Sequence, residues 1–228
     1  MTTVHFIHSG SAYMPELMAY ETHLEKLGHS SQRHTTPSTV PDEAAIVWWI
    51  CGRVSIQHTQ RLSQSIHVHE YASASVAPFA WLKDRVKQWS HPAPDYRVFQ
   101  SEWVRQRTGL TDANTQYFLR DMGVPPDFFT HQAHQTPEFD LVYLGAMSRL
   151  ESFLPTLRAI NHSGLSLLLI GEVPLQLQNQ LQQLPNIHAI GRIPQEEVPE
   201  QLNRARCGLN LMPEILPLSE QTSTKMLE

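Results

Sequence analysis

The chain has 228 residues, 41% of them apolar, and a formal charge of −5 from 17 basic and 22 acidic side chains. That leaves room for one large domain or two small ones of ordinary globular composition, and it argues against a broad nucleic-acid-binding surface. Cys51 and Cys207 form neither a CxxC pair nor a disulfide framework, the first residues lack the basic and apolar runs of a signal peptide, and no apolar stretch approaches the roughly 20 residues that span a bilayer.

Residues 4–8 read as a short apolar strand that runs into Ser9-Gly10-Ser11. That triplet is either an ordinary strand-to-helix turn or a loop that admits an acceptor or a diphosphate by close backbone approach. A helical pattern follows, with Leu17, Met18, Leu24 and Leu27 on one face and Gly28 as its stop. The continuous apolar run 44–50, with two tryptophans, predicts a buried parallel strand. Residues 65–69 predict a second short strand. His69 is its candidate functional histidine, and His67 is read as facing the other side of the sheet. Residues 76–89 are amphipathic and predict a helix with Pro78 near its first turn. A strand over 96–100 leads into Ser101-Glu102, which open the next helix, with Ser101 as its cap. Residues 111–122 predict one more helix, ending at Gly123 and Pro125-Pro126.

The polar, proline-marked stretch after His131 predicts a linker at 133–138, between an N-terminal domain over 1–132 and a second domain over 139–228. Strand–helix alternation then restarts. Strands are predicted over 140–146, 166–170, 186–190 and 207–212, with helices over 150–160, 174–184 and 196–205. Two successive runs of βα units with short connections predict an α/β protein of two doubly wound, Rossmann-like domains. In such sheets ligands bind beyond the carboxyl ends of the strands, where His8-Ser9-Gly10, His69-Glu70, Ser101, Gly145 and Gly171 fall.

The last nine residues place two carboxylates, Glu220 and Glu228, seven residues apart. Thr222, Ser223 and Thr224 put small hydroxyls where a helix would begin, an end that offers free N–H groups and partial positive charge. Lys225 adds a full charge. Carboxylates for hydroxyls beside a seat for phosphate suit a sugar joined to a nucleoside diphosphate.

The order of elements resembles that of a family-four retaining glycosyltransferase of the GT-B fold. In the second half the resemblance rests on Leu141-Val-Tyr-Leu-Gly145, Leu167-Leu-Leu-Ile-Gly171, Asn186-Ile-His-Ala-Ile-Gly191-Arg-Ile-Pro194, Gly208-Leu-Asn-Leu-Met-Pro213 and the Glu220…Glu228 pair with Lys225-Met-Leu. In the first half it rests on His67-Val-His69-Glu70, Phe99-Gln-Ser101-Glu102 and Met122-Gly123-Val-Pro125. The resemblance implies transfer of a hexose from a nucleotide diphosphate sugar to a hydroxyl acceptor, a sugar or lipid-linked glycan, with retention. It implies Glu220 on the donor sugar, Glu228 on ribose, Lys225 with the Thr222–Thr224 backbone on the diphosphate, and His69 facing the sugar. The family places an arginine after the first glycine and a lysine a few residues later. Ala146 and Glu151 stand there in this chain, with Arg149 the nearest substitute. The family also continues past the position of Glu228, so the second domain is expected to be incomplete and its Thr222–Glu228 site poorly held.

Thirteen histidines raise a metal site as an alternative, but His67/His69 and His131/His134 have no nearby cysteine and no HExxH helix. There is no Asp-x-Asp, no Gly-x-Ser-x-Gly, no Walker loop and no Gly-x-Gly-x-x-Gly. The expectation is metal-independent chemistry without a cofactor, and no nucleic-acid partner. The expected setting is the cytoplasm and polysaccharide or lipopolysaccharide assembly, with peripheral contact at the inner membrane face left open. A non-catalytic nucleotide-sugar binder or inactive fragment, and a nucleotide-sugar epimerase of similar fold, stay open beside the transferase.

Overall fold

The computed structural model describes residues 1–8, 14–50, 54–121, 123, 136–214, 216 and 218–220. The chain divides into two units, Met1–Gly123 and Val124–Glu228.

The first unit alternates strands and helices: β1 (Thr3–Ile7), α1 (Pro15–Lys26), β2 (Ser30–His34), β3 (Ile46–Ile50), α2 (Ile56–Arg61), β4 (Ile66–Tyr71), α3 (Ala80–Ser90), β5 (Tyr96–Phe99), α4 (Glu102–Thr108) and β6 (Gln116–Leu119). Its six strands are parallel, in the order β2-β1-β3-β4-β5-β6. The central strand β3, Ile-Val-Trp-Trp-Ile, is β-branched and aromatic throughout, which suits a strand covered on both faces. On one face Val4, Phe6, Ile50 and Trp48 pack against Leu17, Tyr20 and Leu24 of α1. On the other, Ile7, Val47 and Trp49 pack against Val54 and Leu62. The strand order reverses between β1 and β3. The loops that follow these strands, Ser9–Tyr13 and Cys51–Arg53, lie outside the described residues, so the Ser9-Gly10-Ser11 reading does too.

Several expectations for this half are corrected. Helix α1 buries Leu17 but leaves Met18 48% and Leu27 60% exposed. At about 100° per residue Met18 stands a full step off the stripe of Leu17, Tyr20 and Leu24. The helix predicted over 76–89 begins only at Ala80, behind Phe79, whose φ of 60° is left-handed. Of the helix predicted over 111–122, the described residues 111–121 form a loop and strand β6 instead. Arg97 holds Asp112 at 2.5 Å, and Thr115 Oγ1 donates to the Pro94 carbonyl at 2.7 Å. The loop is thereby tied to the start of β5, and Gln-Tyr-Phe-Leu pairs as an edge strand. The short β2 and α2 carry no apolar period, so the sequence pattern signals neither.

The second unit contains β7 (Phe139–Leu144), α5 (Leu154–His162), β8 (Leu167–Ile170), α6 (Leu175–Leu181), β9 (Ile187–Ala189), α7 (Val198–Leu202) and β10 (Ala205–Gly208). The parallel sheet runs β10-β7-β8-β9. Strand β8 is Leu-Leu-Leu-Ile and is buried along its whole length. Leu167 and Leu169 join Leu157, Ile160, Leu177 and Leu181 on the side of α5 and α6. Leu168 and Ile170 join Val142, with Leu202 of α7 packed against them. Helices on both faces make each sheet doubly wound, as expected. Polar pairs set the register: Ser166 N and Oγ both donate to Asp140 Oδ2 at 3.0 Å, and Asn186 N donates to Asn161 Oδ1 at 3.0 Å.

The turns leaving β7 and β8 touch. A Cβ on Gly171, whose φ is +149°, would stand 2.3 Å from the Gly145 carbonyl oxygen. Gly171→Ala is therefore expected to destabilise by about 1–3 kcal/mol, since backbone cannot yield as a side-chain tip can. Gly208→Ala, with open space around it, should stay within about 0.5 kcal/mol of the parent. Equal urea midpoints for the two variants would show that the close approach is not needed.

In the first unit a buried ion pair ties β4 to the residue after β6. Glu70, fully buried, accepts from Arg120 Nε at 2.9 Å and Nη2 at 2.5 Å. Burial pushes the Glu70 carboxyl up, and Arg120 pulls against that shift. A carboxyl whose pKa is raised by folding stabilises most below its unfolded pKa and loses that contribution as pH rises through the folded one. Arg120→Met removes the opposing cation. It should cost about 3–5 kcal/mol at neutral pH, with part of the loss recovered as pH falls towards 5 and Glu70 takes up a proton. Unfolding free energies at the two pH values test this; a penalty independent of pH would assign the cost to packing alone.

Candidate functional site

In the second unit β7, β8 and β9 lie side by side in chain order and β10 returns to the other side of β7, so the order reverses between β7 and β10. This is the point where an open parallel sheet leaves a crevice beyond its carboxyl ends. Gly145 follows β7, Gly171 follows β8, and Gly191 follows β9. Gly145 N donates to the Ile170 carbonyl at 3.1 Å, and Gly171 N donates to the Gly191 carbonyl at 2.8 Å. The structure thus brings the two predicted glycines, Gly145 and Gly171, into one row of strand-end turns. A row without side chains lets a ligand approach the backbone closely.

Arg149 belongs to the 3-10 turn Met147–Phe153 that leaves this row. It is exposed, and its Nη1 reaches Met212 Sδ at 3.7 Å, in the segment that follows β10. Its side chain therefore spans the β7/β10 reversal. Tyr143 lies beneath: burial pushes its phenol up and the Arg149 charge lowers it. A cation whose partner among the described residues is a thioether can meet an anion. A cavity of about 550 Å³ opens at the ends of β8 and β9, where Glu172, Gln178, Gln182, Gly191 and Arg192 line it with Val173. Charged and amide side chains over an apolar floor can hold a polar ligand with a flat apolar part.

Glu220 ends the 3-10 turn Leu218–Glu220 and is exposed. Thr222, Ser223, Thr224, Lys225 and Glu228 lie outside the described residues, so the spacing of the two carboxylates is a matter of sequence only.

At the carboxyl edge of the first unit the chemistry is a largely buried network. Glu70 also accepts from Trp48 Nε1 at 2.9 Å and from Tyr20 Oη at 3.3 Å. Burial and the Glu70 charge push the Tyr20 phenol upward, so it stays a donor. Glu16, 7% exposed in the first turn of α1, brings Oε1 to 3.4 Å from Arg120 Nη2. Two carboxylates thus share one guanidinium, fastening α1 to β4 and to the end of β6. Both carboxylates are buried and Arg120 is partly so, and the network joins the elements from which strand-end loops depart. Glu70 stands in the motif His67-Val-His69-Glu70, and nothing local to that motif names its partner. The available signal is general: a carboxylate inside an apolar strand needs a buried cation, and Arg120 directly follows a strand.

The histidines need two corrections. His67 and His69 lie two residues apart and so share a face of β4. Both rings pack on Trp49. His69, expected to face a sugar, is fully buried instead. Val54 N donates to His91 Nε2 at 3.3 Å, and the Tyr71 hydroxyl joins His91 Nδ1 at 3.2 Å to His69 Nδ1 at 3.4 Å. Burial, with His91 and Arg97 nearby, holds the His69 imidazole well below its ordinary pKa. The strand is covered on both faces, which the sequence alternation alone does not reveal. His67 is fixed by Trp49 Nε1, which donates to its Nδ1 at 3.1 Å, while its Nε2 faces the Leu62 carbonyl at 3.0 Å. Among the described residues no group of three or more His, Cys, Asp or Glu side chains is placed to hold a metal ion. Ser101 caps α4 as expected, accepting from Val104 N at 3.2 Å.

No protein-family model and no curated protein sequence matches the chain. Its fold, however, aligns along most of its length with solved glycosyltransferases. AviGT4, a glycosyltransferase involved in avilamycin A biosynthesis, matches at a TM-score of 0.55 and 13% identity, over 91% of this chain and 68% of that one. The Anabaena protein HepE in complex with UDP matches at 0.55 and 12%, over 91% and 73%. The DNA-modifying enzyme β-glucosyltransferase, solved with and without uridine diphosphoglucose, matches at 0.51 and 11%, over 92% and 71%. The two α/β units are thus of the GT-B type, and at these identities the likeness is one of fold.

Proposed function

We propose that the chain is a glycosyltransferase of the retaining, family-four kind, which moves a hexose from a nucleotide diphosphate sugar to a hydroxyl acceptor. The observation that carries the reading is the crevice edge of the second unit. The bare turns at Gly145 and Gly171 meet there, Arg149 spans the strand-order reversal, and the fold is one that solved glycosyltransferases share.

In this reading the diphosphate lies over the Gly145 and Gly171 turns. Arg149 and Lys225 meet it, with the backbone N–H groups of Thr222, Ser223 and Thr224. Such donors stabilise the charge that grows on the departing diphosphate, the task a divalent ion performs elsewhere, so neither metal nor cofactor enters the scheme. Glu220 holds hydroxyls of the sugar, and Glu228 holds those of ribose. His69 has no contact role here; it belongs to the buried support of β4. The acceptor is a sugar or lipid-linked glycan, Ser9-Gly10-Ser11 and Ser101 lie on the acceptor side, and the setting is cytoplasmic polysaccharide or lipopolysaccharide assembly.

Calorimetric titration with a panel of nucleoside diphosphates tests the donor site. One of them is expected to bind, and Arg149→Ala to weaken it about tenfold by removal of a charged contact. Because Arg149 is exposed, its loss should leave thermal unfolding nearly unchanged. Failure of the whole panel to bind would remove the proposal.

The carboxylates separate by ligand. Glu220→Gln should weaken the nucleotide sugar about tenfold or more and leave the bare nucleotide nearly unaffected; Glu228→Gln should weaken both. Equal and negligible effects would mark the pair as solvated surface. Release of free sugar with donor alone, or its epimer, would instead favour the other readings, and the anomeric form of the product decides retention.

A further inference from the structure

The face of the first sheet that carries Trp49 also carries buried imidazoles. One register row runs His34, Ile7, Trp49, His69 and Arg97 across β2, β1, β3, β4 and β5. The row two residues earlier runs Gln32, His5, Val47 and His67, and so shares that face. His5, His34, His67 and His69, with His91 just after α3, are each 8% exposed or less. In the second unit the described histidines, His162 and His188, are exposed.

The hydrogen bonds of these rings have a direction. Thr39 Oγ1 donates to the Thr36 carbonyl at 2.9 Å, so it accepts from His34 Nδ1 at 2.8 Å. His34 Nε2 then bears no proton and accepts from His5 Nδ1 at 3.0 Å. This joint ties β1 to β2 and to the turn at Pro37–Thr39. In a second joint Val54 N donates to His91 Nε2, so the proton of His91 sits on Nδ1 and is donated to Tyr71 Oη. The Tyr71 hydroxyl in turn donates to His69 Nδ1. That joint ties β4 to the end of α3 and to the segment before α2. Three ring nitrogens serve as acceptors: His34 Nε2, His91 Nε2 and His69 Nδ1. A proton added at any of them sets two donors head to head and buries a charge.

The charged surroundings mostly oppose that charge. His69 faces His91, Arg97 and His67, and Lys83 and Lys87 of α3 line a cavity with His91. The nearby acids have partners: Asp112 pairs with Arg97, Asp95 Oδ2 accepts from His67 N at 2.7 Å, and Asp84 of α3 accepts from Ser75 N. Glu43, which is exposed, is the acid that faces His5. Burial holds His5, His34 and His69 below the ordinary imidazole value of 6.5. A base whose pKa is lowered by folding contributes stability above its unfolded pKa, and that contribution is lost as pH falls below it. Glu70, on the opposite face of β4, works the other way, by at most one proton.

We propose that the first unit carries a built-in acid switch: in mild acid its two histidine joints take up protons and the unit opens, while the second unit keeps its fold. The proposal stands independently of the donor-site reading.

All five tryptophans lie between Trp48 and Trp103, in the first unit, so tryptophan fluorescence reports that unit alone. Urea unfolding of the full chain, followed by fluorescence and by circular dichroism between pH 7.5 and 5, is the test. Three histidines less Glu70 leave a net uptake of about two protons, so the unfolding constant of the first unit should rise about a hundredfold per pH unit below pH 6. The change in circular dichroism that is silent in fluorescence reports the second unit, and its midpoint should barely move. Gln offers an acceptor and a donor without titrating, so His34→Gln and His69→Gln should each lower the dependence to about tenfold per pH unit. Should a variant fail to fold, the ring Cε1 proton signals of the parent decide. Those of His5, His34 and His69 are expected to stay fixed between pH 7.5 and 6, and titration of all three at the ordinary imidazole value would overturn the proposal. So would a fluorescence midpoint independent of pH, equal shifts of the two units, or variants as steep as the parent.

Discussion

Parallel pairing is the constraint from which the rest follows. The ten described strands, in two sheets, all run parallel to their sheet neighbours, so each connection within a sheet must cross over a face and the carboxyl ends of each sheet fall on one edge of it. The crossovers bury both faces, which selects the continuous apolar runs of β3 and β8. They also leave the strand-end turns as the places where backbone and side chains are free to meet a ligand. Gly145, Gly171, Gly191 and Arg149 gather at such an edge because the topology puts the ends of β7, β8, β9 and β10 side by side.

The two units meet the cost of burial differently. The second has a core of leucine and isoleucine around β8, and its polar pairs sit at strand starts, as with Asp140 and Ser166. The first buries charge and imidazole: Glu70 with Arg120, and His69 with Tyr71 and His91. Such groups persist in a core only when each finds a partner, and removing one partner costs more than the pair contributes. The Glu70 network therefore acts as a fixed joint among α1, β4 and the end of β6, at the edge where the loops after β1 and β3 depart. Specific geometry at that edge is what the buried charge supplies, more than stability.

Helix α3 shows propensity and tertiary context in tension. Its sequence has the amphipathic period of a core helix, yet Asp84 and Gln88 face inward because partners await them at Ser75 and Thr108. The apolar stripe is left outside, next to three cations.

The sequence by itself determined the α/β class, the two runs of βα units and strands β7, β8 and β9 of the second unit; the strand predicted over 207–212 meets β10 only at its last two residues. The apolar runs and terminal glycines of β7, β8 and β9 are local signals that parallel burial leaves unambiguous. The sequence also determined the cap at Ser101 and placed Gly145 and Gly171 at strand ends. Tertiary structure alone decided what local pattern does not encode. Residues 116–119 became an edge strand because Arg97 and Pro94 fix the loop before them. Met18 and Leu27 ended in solvent because the core stripe of α1 is narrower than its apolar content. His69 lies in the core because β4 is covered on both faces. Glu70 and Arg120 met because β4 and β6, fifty residues apart in sequence, flank the same strand. In each case the deciding partner is distant in sequence, and burial sets the energy of the contact.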